Sequence, residues 1–492
     1  MNSPRKILFV SHEATRTGAP MFLLHFLRWL RRETSVEFEL LVGRGGPLED
    51  EFRACCPVHR PEAFLGRPAE LARFGLIYAN TACNTDLLDA IGTGGLPVIT
   101  HVHELDAGFD WLGARRMASM VRQTHHFVAC ADAVARRLQE VFNVPAERIS
   151  RHYEMIDADR VRANASAAEL AALRQQYDIP ADAQVLVGCG TFDLRKAPDV
   201  FVQVAGLLKR RGGAGRPWRF LWVGAQNSPD LVRQLGLDLR KLGLTGELRL
   251  IPEVASPHGL LALGDIFCLT SREDPFPLAM LEAAALGRPV VCFDGAGGGT
   301  EFCATGGGIA VPYLDIAAMA TACAGLLEEP ARRHETGRLG QAAVDARFTV
   351  GAVAPGLWQM IQAFPPDTTP VVPARATLAE IYAGWHDEAP QRVYRQAHLA
   401  RAEVRGQARR LLAMGRRKDA AQLLAQAVNA DLATKDVWTI CEGLCEIADD
   451  FDSVDPRQAA SLAAKAQDLA RSKNLNISCL RPRKAPAAVA AA

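Results

Sequence analysis

The chain has 492 residues, a formal net charge of +1, 49% hydrophobic and 23% charged residues. That is ordinary for a soluble globular protein of more than one core, gives no global field pointing to nucleic acid, and contains no run of 18 apolar residues that would span a membrane. Its twelve cysteines keep no disulfide rhythm and include no Cys-x2-Cys pair, which argues against a disulfide framework and structural zinc and fits a reducing cytoplasm.

The opening stretch holds an apolar run of only five residues, too short for a signal peptide. That run, KILFV (6–10), is the first of a series of short strand candidates: FELLVG (38–43), LIYANT (76–81), PVITHVHE (97–104) and HHFVACA (125–131). Helical patterns lie between several of them. This βαβ rhythm predicts a parallel sheet with helices on both faces. The helix MFLLHFLRWLRRE (21–33) mixes large apolar residues with Arg28, Arg31 and Arg32. It reads as a core helix with snorkelling arginines, with peripheral contact to an anionic membrane face as the alternative.

A helix and a Pro-containing link (165–183) follow, and the rhythm restarts with QVLVGCGT (184–191), FLWVGA (220–225), LRLIP (248–252), DIFCLTS (265–271) and PVVCFD (289–294). The expected fold is α/β, with two doubly wound Rossmann-like domains (1–175 and 176–347) facing a cleft. Ligands in such sheets bind beyond the carboxyl ends of the strands. Residues 348–364 predict one more helix, returning to the N-terminal domain, and 365–374 a Pro/Thr linker. Residues 375–475 are rich in Ala, Leu and Arg with helical spacing. RKDAAQLLAQA (417–427) and PRQAASLAAKA (456–466) match loosely, which suggests either a tetratricopeptide-like repeat or an ordinary helical bundle. The tail (476–492) is expected to be disordered.

The stretch SREDPFPLAMLEA (271–283) carries the chemistry. DIFCLTS is a strand, RED leaves its carboxyl end, and Pro277 suits a helix start. The amides of Leu278 and Ala279, with Phe276 just before, become free donors at the positive end of a helix dipole, an anion site. Asp274 and Glu282 flank it. A sugar–diphosphate–ribose is long enough to be held by acid, amides and acid in turn.

This stretch resembles the Glu-x7-Glu motif of the retaining GT-B glycosyltransferases of family 4, with Asp274 in place of the first Glu. ALGRPVV follows, as in that family's small-x-Gly-x-Pro-Val pattern. The resemblance covers roughly residues 5 to 350. GAGGGTEF (295–302) resembles its Gly-rich loop ending in Glu, here Glu301. GTFDLRKAPD (190–199) resembles its Gly-Arg-x4-Lys segment: Lys196 falls on the Lys, Thr191 stands where Arg is usual, and Arg195 is the neighbouring cation. Thr17-Gly18 matches its Gly-Gly pair before the first helix, and His103 its histidine near the acceptor and donor sugar.

The resemblance implies retaining transfer from a nucleoside-diphosphate sugar to a hydroxyl acceptor, such as a surface or lipid-linked saccharide, without an obligatory metal or other cofactor. It implies Lys196 and Arg195 on the diphosphate, Asp274 on sugar hydroxyls and Glu282 on ribose. His101 and His103 lie two apart on one strand face, but no third metal ligand is evident. The enzyme is expected in the cytoplasm, with contact to the inner membrane face left open. The competing class is a non-catalytic interaction protein working through its C-terminal helices on a protein partner.

Overall fold

The computed structural model describes residues 6–212, 215–224, 229–365, 368–371, 404–433, 437–451 and 454–472. The predicted tail and the remainder of the linker lie outside the described residues.

Two parallel sheets form the body. The first has order β3-β2-β1-β4-β5-β6-β7, from β1 (Ile7–Glu13), β2 (Phe38–Arg44), β3 (Val58–His59), β4 (Leu76–Asn80), β5 (Val98–Val102), β6 (His126–Ala129) and β7 (Ile149–Arg151). The second has order β10-β9-β8-β11-β12-β13, from β8 (Gln184–Cys189), β9 (Trp218–Val223), β10 (Leu248–Ile251), β11 (Ile266–Leu269), β12 (Val290–Phe293) and β13 (Gly308–Val311). All pairings are parallel. The central strands are apolar and buried along their whole length, as a sheet covered on both faces requires. The strand order reverses beside β1 in one sheet and β8 in the other, so the carboxyl ends of β8 and β11 border one crevice.

Three strands were not anticipated: β3, β7 and β13. They have two, three and four residues, too few for a period to show. β13 also follows a run of glycines that reads as loop.

The helix Gly18–Glu33 buries Phe22, Leu23, Leu24, Phe26, Leu27, Trp29 and Leu30 in the N-terminal core, against Phe9, Phe38 and Tyr78. Arg28 and Arg16 both pair with Glu51. Its apolar face is inside the protein, as the core-helix reading expects. No described helix is long and apolar enough to cross a membrane.

The helix Val350–Ala363 sends Val353, Ala354, Leu357 and Ile361 into that same N-terminal core. The chain crosses between domains at two adjacent segments: Ile156 N–H donates to Phe348 O and Val350 N–H to Ile156 O. The rings of Tyr153, Phe276 and Phe348 cluster there, with centroids 5.0–5.4 Å apart.

Beyond the linker, a helix over 404–413 precedes helices Arg417–Ala433, Val437–Phe451 and Pro456–Ser472. They share a core of Leu424, Ile447, Phe451 and Ala466, among others. Buried Asp450 is held by Arg405 and Arg409. The two similar sequence stretches open the second and fourth of these helices, equivalent places in two successive hairpins.

Candidate active site

The site is assembled where β8 and β11 end. After β8 the loop Gly190–Ala197 is shaped by Asp193, whose carboxylate accepts from Thr191 Oγ1 (2.6 Å) and from the Lys196 amide (2.8 Å). Ala197, at φ 57°, turns the chain into the helix Pro198–Arg211. The loop after β11 is stitched to it. Arg272 N–H donates to Arg195 O, and the Arg272 guanidinium grips Asp199 with two bonds of 3.0 and 2.7 Å. Arg195 Nη1 donates to Glu273 O at 3.2 Å.

Lys196 and Asp274 meet directly, Nζ to Oδ2 at 2.5 Å. Arg195 Nη1 stands 3.9 Å from the other Asp274 oxygen, and Ser271 Oγ donates to Asp274 at 3.2 Å. The Asp274 residue is 5% exposed. In this state its carboxylate is therefore turned to the two cations rather than free for sugar hydroxyls.

The turn that follows matches the expectation closely. Pro277 is the residue just before the helix Leu278–Ala285, one position earlier than predicted, and its carbonyl accepts from Met280 and Leu281. Among the described residues, the amides of Phe276, Leu278 and Ala279 meet no acceptor. Glu282 lies one turn on, half-buried, with Oε1 3.5 Å from His258 Nε2. The other ring nitrogen of His258 contacts Asn164 and Ser256.

The Gly-rich loop packs beneath this turn. Asp274 N–H donates to Ala296 O at 2.7 Å, and Gly298 N–H to Pro275 O at 2.9 Å. Gly297 sits at φ 131°, and a Cβ there would fall 1.9 Å from Asp274 O. A Cβ on Gly298 would fall 2.2 Å from the Phe276 ring. These glycines are needed for close packing of loop on turn.

Glu301 departs from the expectation. Its two oxygens accept from the amides of Asp132 and Ala133, both at 3.0 Å. Those amides begin the N-terminal domain's helix Asp132–Phe142. Both carboxylate oxygens thus cap a helix across the cleft instead of facing a donor. Glu273 does the same at the helix Asp106–Gln123, accepting from Ala107 N–H at 3.0 Å. Sequence reasoning missed this second cap. Both contacts join residues more than 160 positions apart, and no local signal reports them.

Burial pushes the Glu273 carboxyl up from 4.5 to about 7, against the opposing pull of the Ala107 amide. A carboxyl raised on folding adds stability that is present below about 4.5 and lost as pH rises through about 7. Glu273→Gln should therefore melt on the order of 2–4 °C above wild type at pH 8. The gap should close by pH 5. Parallel melting curves across this range check the sign.

On the N-terminal side, Thr17 precedes the helix Gly18–Glu33 at the carboxyl end of β1, its hydroxyl 2.9 Å from Thr15 Oγ1. A Cβ on Gly18 would meet nothing within 4 Å, so the fold alone does not demand glycine there. In this state both ring nitrogens of His103 are engaged within the N-terminal domain rather than free: Nδ1 meets Glu154 Oε1 at 2.5 Å and Nε2 meets Asn80 Oδ1 at 3.2 Å. Burial works against its proton, but Glu154 outweighs burial and the imidazole is held above its usual range. Glu154 follows β7, and no pattern marked it. A lone acid between apolar residues in RHYEMID was the available signal.

Residues 17–160 match a family model described as Glycosyltransferase Family 4, and residues 183–329 one described as Glycosyl transferases group 1. A D-inositol 3-phosphate glycosyltransferase of Kineococcus radiotolerans is 30% identical over 243 residues, 44% of this chain and 52% of the relative. The chain thus spans about half the length of that relative. The putative glycosyltransferase EpsF of Bacillus subtilis is 24% identical over 384 residues, 72% of this chain and 96% of EpsF. A crystal structure of Anabaena HepE in complex with UDP-glucose aligns with a TM-score of 0.63 at 20% identity, covering 73% of this chain and 100% of HepE. By sequence similarity the first sheet domain is similar to Glycosyltransferase Family 4 and the second to the glycosyl transferases group 1, and the fold they build together is GT-B.

Proposed function

We propose that the protein transfers a sugar from a nucleoside-diphosphate sugar to a hydroxyl acceptor, with retention of the anomeric configuration. The observation that carries this reading is the set of three unpartnered amides at Phe276, Leu278 and Ala279 beside the Lys196–Asp274 pair. An anion entering there gains amide donors, the positive end of a helix and two cations at once. A diphosphate would compete with Asp274 for Lys196 and Arg195. Asp274, released from them, would accept from sugar hydroxyls, while Glu282, held only by the approach of His258, would accept from ribose.

In the retaining step the acceptor oxygen attacks the anomeric carbon from the side the diphosphate leaves. The bond from that carbon to phosphate oxygen breaks, the new glycosidic bond forms, and the acceptor's proton passes to an oxygen of the departing diphosphate. Lys196 and Arg195 stabilise the charge gathering on that leaving group. The protein's work is then positioning and electrostatics more than acid–base catalysis. The aromatic cluster at the crossing and the two cross-cleft caps hold the domains together, which excludes water that would otherwise hydrolyse the donor.

HepE was crystallised with UDP-glucose, which makes uridine diphosphate sugars the first donors to try. WaaG, described as involved in lipopolysaccharide biosynthesis, shares the fold at a TM-score of 0.57, and lipid-linked saccharides are the acceptors to try first. Incubating the protein with UDP-, GDP- and ADP-sugars and such acceptors should give a product whose new linkage, read by NMR, keeps the donor's anomeric form. An inverted linkage would overturn retention. Absence of transfer together with absence of nucleotide binding would favour a scaffold protein.

A further inference from the structure

His103, Cys130 and Glu154 come from three neighbouring strands. His103 follows β5, Cys130 follows β6, and Glu154 lies three residues beyond β7. The sequence shows His101 and His103 on one face with no third ligand. The fold brings two more ligating groups to His103 from other strands. One ligand atom from each of the three residues lies within 4.8 Å of the other two, and among the described residues no other trio of His, Cys, Asp or Glu does this.

Two further observations point to an occupant. Glu154 is 4% exposed, and its Oε2 is buried without any partner. The neighbouring ring of His101, 4.0 Å from that of His103 between centroids, is fully buried, and its Nε2 is likewise unpartnered. A buried carboxylate oxygen left bare is costly.

We propose that His103, Cys130 and Glu154 form a three-ligand site for a zinc-class divalent cation on the N-terminal side of the cleft. Thiolate, imidazole and carboxylate together suit a borderline-soft ion in tetrahedral geometry, with a fourth position open to water or to an oxygen of a cleft ligand. The 2.5 Å contact between His103 Nδ1 and Glu154 Oε1 must open to admit the ion. Metal bonds near 2.1 Å at a tetrahedral angle place the two atoms roughly 3.4 Å apart, a shift of about 1 Å in two side chains.

The test uses the full chain and the metals alone, so its outcome does not depend on any transferase activity. Wild-type protein loaded with Co²⁺ should show thiolate-to-cobalt absorption and visible bands of tetrahedral intensity. After loading with Zn²⁺ and dialysis it should retain one equivalent. Cys130→Ser should lose the absorption, and Glu154→Gln should weaken the affinity by about 10-fold or more. A Cys55→Ser/Cys56→Ser variant should keep the signal, which separates the site from the adjacent pair Cys55 and Cys56. Absence of thiolate absorption in the wild type would overturn the proposal without reference to any variant. So would its persistence in Cys130→Ser.

Discussion

Lys196→Ala should lower sugar transfer by about 10²–10³-fold, chiefly in kcat, because the ammonium stabilises charge that appears only as the diphosphate departs. The same change removes a partner from a carboxylate that is 5% exposed. Leaving a buried charge unpaired is destabilising, by about 3–5 kcal/mol where burial is complete. Arg195 at 3.9 Å and Ser271 at 3.2 Å reduce that cost. The two effects can be separated. Lys196→Ala combined with Asp274→Asn removes both charges and should recover most of the lost stability. It should not recover transfer. Thermal melts and single-turnover rates on the single and double variants check both halves.

Gly297→Ala should be the most damaging single-methyl change in the cleft. At φ 131° an L side chain is strained, and here the new Cβ would lie 1.9 Å from the carbonyl oxygen of Asp274. Backbone strain and overpacking each cost about 1–3 kcal/mol, so a loss of about 3 kcal/mol or more is expected in a denaturant titration. Activity should fall further than stability alone explains. Asp274 and Gly297 form a bridge, and moving it displaces the turn whose amides are proposed to receive the diphosphate. Gly18→Ala is the matched contrast. With nothing within 4 Å of the added carbon, stability should be unchanged or slightly raised, since alanine is the better helix former. A weakened donor affinity in that variant would place a ligand against Gly18.

The parallel sheets were legible because strands buried on both faces read as short apolar runs, and because helices separated many of those runs. The turn at Pro277 was legible because proline, a strand end and a helical run sit next to one another in the chain. Lys196 stood out through the loop that carries it. What the sequence did not reveal is tertiary. Glu301 looks like a loop acid until Asp132 and Ala133 arrive from the other domain. Glu273 is one letter in a charged trio until burial, against the pull of the Ala107 amide, raises it toward neutrality. His103 reads as a free imidazole because the residue that holds it, Glu154, is 51 positions away after a three-residue strand. The helix 21–33 reads as a core helix with a membrane-lying alternative, and the aromatic residues of β1, β2 and β4 fill its apolar side.

Glu301, Glu273 and His103 share a cause. Each takes its partner from a distant part of the chain: Glu301 and Glu273 from the other domain, and His103 from beyond another strand of its own sheet. The ring of Phe276, just before the turn at Pro277, packs on Tyr153 and Phe348 beside the crossing of the chain at Ile156 and Phe348.

Calorimetric titration with UDP, UMP and uridine, and with the matching GDP and ADP series, tests the anion site most directly. For one base, the diphosphate should bind at least about 10-fold more tightly than the monophosphate, equivalent to about 1.4 kcal/mol, and Lys196→Ala should abolish that advantage. Equal affinity for the two nucleotides, or an advantage untouched by loss of Lys196, would contradict a diphosphate held between that lysine and the turn at Pro277.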